Sequence, residues 1–129
     1  MPITMSPQVL TASQDAYITQ GITARLQTLS GAAASGTLTV SIIDYPVTLL
    51  TSQTSNSTIT FSNIPNGSAN TFYVEVANRA SFTVTFSGVT WDGGSAPTLA
   101  SGTGKTVLEF YSRDGGTTIY GKARFATIA

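Results

Sequence analysis

The stretch that decides the fold is Val89–Gly121, VTWDGGSAPTLASGTGKTVLEFYSRDGGTTIYG, which holds the only tryptophan of the chain and two Asp-Gly-Gly sequences. Asp114-Gly115-Gly116 indicates a tight turn, because glycine reaches positive φ without a Cβ clash. The β-rich runs Val107–Tyr111 and Thr118–Tyr120 flank this turn. Apolar runs around an Asp-Gly turn predict an antiparallel hairpin.

The first half of this stretch, residues 91–97, is predicted to be a loop. Pro97 has no N–H to give to a strand ladder, and it biases Ala96 away from helix. We expect Trp91 to plug one end of a barrel or sandwich, with its indole N–H donating to a backbone carbonyl.

Alternation of apolar and polar residues continues upstream, for example at Leu38–Ile42 and Phe72–Val76. Residues 16–29 fit a strand by alternation and a helix by the stripe Ile22, Leu26 and Leu29; frequent threonine and the lack of a clear cap favour the strand. Short strands separated by turns about every ten residues predict an all-β domain. We expect an antiparallel β-sandwich, specifically a jelly roll, over residues 15–129. No internal repeat is apparent at a solenoid period.

Residues 1–14 contain two prolines and little periodicity, and we interpret them as an extended N-terminal arm. Such an arm either frays as a terminus or clasps a partner. In the second case its apolar side chains would bind the partner: Ile3, Met5, Val9 and Leu10. No secretory signal pattern is visible here, so we expect an unprocessed protein made in the cytoplasm.

The composition excludes several kinds of chemistry. The 129 residues include neither His nor Cys, which rules out a Ser-His-Asp triad, a cysteine nucleophile, a disulfide framework and the common zinc sites. Lys plus Arg equals Asp plus Glu at six each, so the net charge is zero and affinity for nucleic acid or an anionic membrane is not expected. Only 9% of residues are charged, and near-zero net charge promotes association. We expect a non-enzymatic protein without a metal or cofactor.

Three weaker motifs have simpler explanations. Glu75 and Glu109 could act as a glycosidase pair, but each lies in an alternating run typical of a solvated or inter-subunit strand face. Asp92 and Asp114 each stand alone, which suits turns better than calcium. Ser101–Thr106, SGTGKT, imitates a phosphate-binding loop but lacks its first glycine and precedes a predicted strand rather than a helix.

Aromatic residues offer one binding hypothesis. A sugar-binding platform could be formed by Tyr45, Tyr73, Trp91, Tyr111 and Tyr120, because aromatic rings stack on pyranose faces. Tyr73 and Tyr111 are predicted on strand faces opposite the apolar rows. Ordinary packing or a subunit contact is the favoured alternative.

The order of three motifs resembles the C-terminal part of a family of tailed-bacteriophage virion proteins. The motifs are WDGGSAPTL at 91–99, VLEF at 107–110 and DGGTTIYG at 114–121, and the resemblance covers about residues 47–121. The chain departs from the family pattern at two places. Ile119 stands where the family usually has an aromatic residue, and Lys105-Thr106 stands where it often has a polar residue followed by Asp. The signature positions are Trp91, Gly93, Gly94, Pro97, Asp114, Gly115, Gly116 and Tyr120.

This resemblance implies a virion structural protein with a small β domain. Family members are capsid decoration, head-fibre or tail-fibre-tip proteins. The expected function is that of a decoration, cement or head-fibre protein that binds the major capsid protein at the outer capsid surface and reinforces it, as a homotrimer. The alternative is a tail-fibre or baseplate tip that binds a host-surface glycan. The chain has no coiled-coil shaft, which favours decoration.

Overall fold

A computed structural model describes residues 24–129, so the predicted arm and its partner-binding residues Ile3, Met5, Val9 and Leu10 lie outside the described residues. The described chain is all-β, as predicted. Its strands are β1 Leu26–Ser30, β2 Gly36–Ser41, β3 Val47–Thr51, β4 Ser57–Ser62, β5 Asn70–Ala77, β6 Val84–Phe86, β7 Val89–Trp91, β8 Lys105–Ser112 and β9 Ile119–Ile128. Single 3₁₀ turns occupy Gly31–Ala34 and Asp92–Gly94.

Strands β1 to β6 form a parallel coil. They alternate between two sheets, and each pairs in parallel with the strand two places later, giving β1-β3-β5 in sheet A and β2-β4-β6 in sheet B. Leu26 pairs with Val47 and Gly36 pairs with Ser57, so the first step is 21 residues in both sheets. Each turn of the coil therefore stacks on the one before.

The coil has a repeated corner after each sheet A strand. Ser30, Thr51 and Ala77 are in register at the strand ends. The next residues, Gly31, Ser52 and Asn78, all adopt left-handed backbone conformations, with φ of 61°, 53° and 51°. The Asn78 side-chain amide also donates to Thr51 Oγ1 at 3.2 Å, which joins successive turns of the coil. One backbone conformation thus turns the chain out of sheet A three times.

Strands β8 and β9 form the antiparallel hairpin that the sequence predicts, with Tyr111 opposite Tyr120. The hairpin lies between β5 and β7, since sheet A has the order β1-β3-β5-β8-β9-β7. Strand β7 pairs in parallel with β9, with Trp91 opposite Gly121. The hairpin is therefore inserted between β5 and β7, strands that run in the same direction.

The core lies between the two sheets. Phe61 of sheet B contacts Phe72 and Phe110 of sheet A, with ring centroids 4.8 Å apart in each case. Phe110 also packs against Phe86 and Trp91. Phe72 and Phe110 are fully buried. One aromatic cluster therefore joins the coil to the hairpin.

Two sequence predictions need correction. Antiparallel pairing is wrong for the coil, where all four strand pairs are parallel, and the jelly roll is not confirmed because its strands pair antiparallel. The second step of the coil is 26 residues in sheet A and 27 in sheet B, so the stacked turns have no fixed period, in agreement with the sequence. Trp91, which the sequence places in the loop over residues 91–97, instead ends β7, a strand of three residues with too little alternation to recognise.

Candidate functional site

The outer face of sheet A carries three of the four tyrosines in residues 24–129. Register places Tyr73, Glu109 and Lys122 in one row across β5, β8 and β9. The neighbouring row contains Tyr111 and Tyr120, with Thr71 and Thr90 at its two ends. These side chains point away from the core because they alternate with buried ones such as Phe110. The sequence predicted this placement for Tyr73 and Tyr111.

A groove opens on this face at the end formed by β7, β8 and β9. Its volume is about 520 Å³, and we call it the tyrosine groove. Tyr111 and Tyr120 line it with 37% and 43% of their surface exposed. The polar side chains that line it are Thr71, Thr90, Asp92, Glu109 and Lys122. Aromatic walls with a few convergent polar groups are typical of small-molecule binding sites.

Glu109 is held in place inside the groove. The Tyr73 hydroxyl donates to its Oε2 at 3.1 Å, and Lys122 Nζ lies 3.8 Å from its Oε1. Desolvation by burial, the hydrogen bond to Glu109 and the charge of that carboxylate raise the pKa of the Tyr73 phenol. Tyr73 therefore stays protonated as a donor and fixes the carboxylate.

Trp91 packs beneath the groove. It lies on the inner side of sheet A, half-buried, with its ring 5.8 Å from those of Phe86 and Phe110. A Cβ at Gly121 would lie 2.9 Å from Trp91 Cζ3 and 2.8 Å from Val89 Cγ1, so only glycine allows this approach. Within residues 24–129 the indole N–H makes no hydrogen bond, so the predicted bond to a carbonyl is not seen. Trp91 lines the groove from below and closes the core at that end.

A second cavity, of about 370 Å³, lies between β6 and the loop before β8, with Pro97 in its wall. The Arg79 guanidinium beside it donates to the carbonyls of Ala100, Leu99 and Phe82 at 2.7, 2.6 and 2.7 Å. These hydrogen bonds hold the loop before β8 against the turn after β5. Arg79 therefore has a structural role, and we do not assign it to a binding site.

The other signature residues shape turns. Asp114 Oδ1 accepts from the Thr118 backbone N–H at 2.8 Å, and this bond is the main cause of its lowered pKa. Gly115 and Gly116 have φ of 70° and 92°, which side chains rarely adopt. Added Cβ atoms there would lie 3.2 Å from Asn66 and 3.1 Å from Ile64, so the hairpin loop packs closely on the turn after β4. Gly93 and Gly94 likewise have positive φ, at 77° and 88°.

The remaining candidates are not brought into one site. Glu75 lies one row away from Glu109 on the outer face of sheet A. Asp92 borders the groove, whereas Asp114 caps the hairpin loop. Within residues 24–129 no three acidic side chains are grouped to hold a metal ion. Tyr45 lies outside the groove, under the Arg25 guanidinium at 5.2 Å.

Sequence reasoning missed a second exposed feature of the same face. Leu26 is 58% exposed and Phe125 is 55% exposed, and half-buried Leu49 and Val107 lie between their strands. We call these four apolar residues the apolar band, which Glu75 of β5 interrupts between Leu49 and Val107. The bulge between Val107 and Leu108 shifts the register of β9, which puts Phe125 opposite Val107 and carries the band across to β9. A bulge leaves no clear periodicity in the sequence.

Comparison of the chain with protein-family models, with curated proteins and with solved structures found no match. Of the helices in the described part of the chain, none has the length and apolarity to cross a membrane.

Proposed function

We propose that the protein is a virion structural protein that works by binding and not by catalysis. In this proposal it is a decoration, cement or head-fibre protein on the outer capsid surface. Its partners are the major capsid protein and further copies of itself in a homotrimer. The resemblance of residues 47–121 to tailed-phage virion proteins supports this function.

The observation that carries the proposal is the apolar band. Phe125 and Leu26 expose more than half of their surface on the outer face of sheet A, and the Arg124 guanidinium lies over the Phe125 ring at 6.0 Å. Large exposed apolar side chains grouped on one face are typical of interaction sites. Contacts of modest strength suffice in a symmetric shell, because each copy contributes the same contact many times.

Copy number in purified virions tests the proposal directly. Quantitative mass spectrometry, normalised to the major capsid protein, should give a ratio comparable to that of the capsid protein. A few copies per particle would instead indicate a tail or vertex component, and absence from virions would refute a virion role.

Binding to purified capsids tests the surface. Phe125→Ser should leave the fold intact and weaken capsid binding, because Phe125 is largely outside the core. Ile43→Ser is the matched control, since Ile43 is 66% exposed but lies in the turn between β2 and β3. Equal binding by both variants would exclude the apolar band as the contact.

A further inference from the structure

We propose that the tyrosine groove is a binding site for neutral oligosaccharides. This goes beyond the proposed capsid function and uses other residues of the same face. It is carried by the lining of the groove: two exposed tyrosines in direct register, two carboxylates, one lysine and two threonines.

The two tyrosines supply the stacking surface. Tyr111 and Tyr120 are opposite each other across β8 and β9, so their rings lie on neighbouring strands of one rigid hairpin. Both keep more than a third of their surface exposed, although their neighbours Phe110 and Ile119 are buried. The C–H faces of a pyranose ring are apolar and match the faces of tyrosine rings, while the phenol hydroxyls stay free for hydrogen bonds.

The polar groups match the hydroxyls of a sugar. Carboxylates are acceptors only, so Glu109 and Asp92 suit donors such as paired sugar hydroxyls. Thr71 and Thr90 add hydroxyls that can donate or accept at the two ends of the tyrosine row. Glu109 is already fixed by Tyr73 and Lys122, so little order has to be gained on binding.

The charges around the groove do not favour an acidic ligand. The groove has two carboxylates and one ammonium, and that ammonium lies beside Glu109. The Arg124 guanidinium, whose charge acts on Tyr73 beside Glu109, offsets the second carboxylate, so a sialic acid, a uronic acid or a phosphate would meet no net positive charge. The volume of about 520 Å³ lies within the range of about 300–1,000 Å³ that is typical of ligand pockets. These features favour a short chain of neutral sugars.

Glycan-array binding followed by titration tests the proposal. The full chain is applied to an array of neutral and acidic oligosaccharides, and the best neutral binders are titrated while the fluorescence of Trp91 is followed. Trp91 is the only tryptophan and lines the groove, so occupancy should change its emission in a saturable way. Chitotriose, cellotriose and 3′-sialyllactose serve as fixed probes across all variants.

Point variants distinguish the loss of sugar stacking from a loss of protein stability. Tyr111→Ala and Tyr120→Ala should each weaken neutral-glycan binding by about tenfold or more. Tyr45→Ala removes a tyrosine outside the groove and should leave affinity within about twofold of the parent. Asp92→Asn keeps the shape of an exposed side chain and should also weaken binding, which keeps the test valid if a tyrosine variant loses stability.

The outcomes are distinct. Absence of array binding, binding confined to acidic glycans, or affinity unchanged in both tyrosine variants would each overturn the proposal. Light scattering of the parent and of Tyr111→Ala, with and without sugar, measures the molar mass of each in solution. A lower mass for Tyr111→Ala, together with no effect of sugar on either protein, would show that a second copy of the chain covers the groove. That result would also overturn the proposal. The capsid proposal is tested by copy number, so either proposal can fail alone.

Discussion

The coil and the hairpin solve the same problem, burial of apolar strand faces, by different means. In the coil, paired residues such as Leu26 and Val47 are 21 positions apart, and the chain must turn a corner twice between them. In the hairpin, Tyr111 and Tyr120 are nine positions apart and one loop joins them. The coil therefore depends on repeated corners, whereas the hairpin depends on one well-formed turn.

The difference shows where each region is vulnerable. Closing a longer loop costs more chain entropy, and parallel strands require such loops. The corner at Gly31, Ser52 and Asn78 recurs at equivalent positions, so a change there affects one turn of a repeated unit. The hairpin loop is held by Asp114 and by Ser112, whose Oγ accepts from the Gly116 backbone N–H at 3.0 Å, and it packs on Asn66 and Ile64.

Phe110→Ala should have the largest effect, because this buried ring joins the two regions. We expect a loss of about 3–5 kcal/mol in the free energy of unfolding, measured by urea denaturation. Tyr111→Ala, the next residue on the outer face, is the control and should cost far less. If the regions form one unit, Trp91 fluorescence and far-UV circular dichroism will report the same midpoint; separate midpoints would show two independent units.

Gly121→Ala should cost about 1–3 kcal/mol, because the new methyl would overlap Val89 and Trp91. Thermal and urea melts of the single and double variants would measure this. Adding Val89→Ala should recover part of the loss by making room. Simple additivity of the two changes would contradict close packing at this point.

The corner positions should respond in opposite directions to opposite changes. Gly31→Ala places a side chain in a left-handed conformation with no clash nearer than 4.0 Å, and should cost about 1–2 kcal/mol. Ser52→Gly relieves the same conformation at the equivalent position and should cost nothing, or stabilise by up to about 1 kcal/mol. Destabilisation by both changes in urea melts would show that the corner is not governed by backbone conformation.

The smallest effect concerns pH. The pKa of Asp114 in the folded protein lies below its ordinary value of 3.8, chiefly because of the Thr118 backbone N–H. The ionised carboxylate therefore stabilises the fold above pH 3.8, and this contribution is lost as the pH falls through the lowered pKa. Urea midpoints between pH 5 and pH 2 should fall more steeply for the parent than for Asp114→Asn. Parallel curves would rule out this contribution.

The sequence predicts the hairpin well because its determinants are local. Asp114, Gly115 and Gly116 define the turn, and alternation in β8 and β9 assigns inner and outer faces. The coil escapes prediction because its strands look alike whether they pair in parallel or antiparallel. Its corners are formed by three different residues in the same backbone conformation, Gly31, Ser52 and Asn78. The repeat is therefore present in the backbone conformation but not in the amino-acid sequence.

The candidate site is predicted only in part, because alternation within one strand is visible in the sequence and the pairing of distant strands is not. Alternation correctly puts Tyr73 and Tyr111 on an outer face, but it does not reveal which residues from other strands join them. Strand β7 brings Thr90 and Asp92 to the groove only because the hairpin is inserted beside it. Of the other predicted aromatic residues, Tyr45 lies outside the groove under the Arg25 guanidinium, whereas Trp91 lines the groove from the inner side of the sheet.

The insertion of the hairpin also sets an order of events during synthesis. The parallel pairs within β1 to β6 can form as the chain leaves the ribosome, because the second strand of each pair follows the first after 21 to 27 residues. Strand β7 pairs with β9, and Val89 must wait for Ile119, thirty residues further along the nascent chain. The last part of sheet A is therefore closed only when the C-terminal strand has emerged.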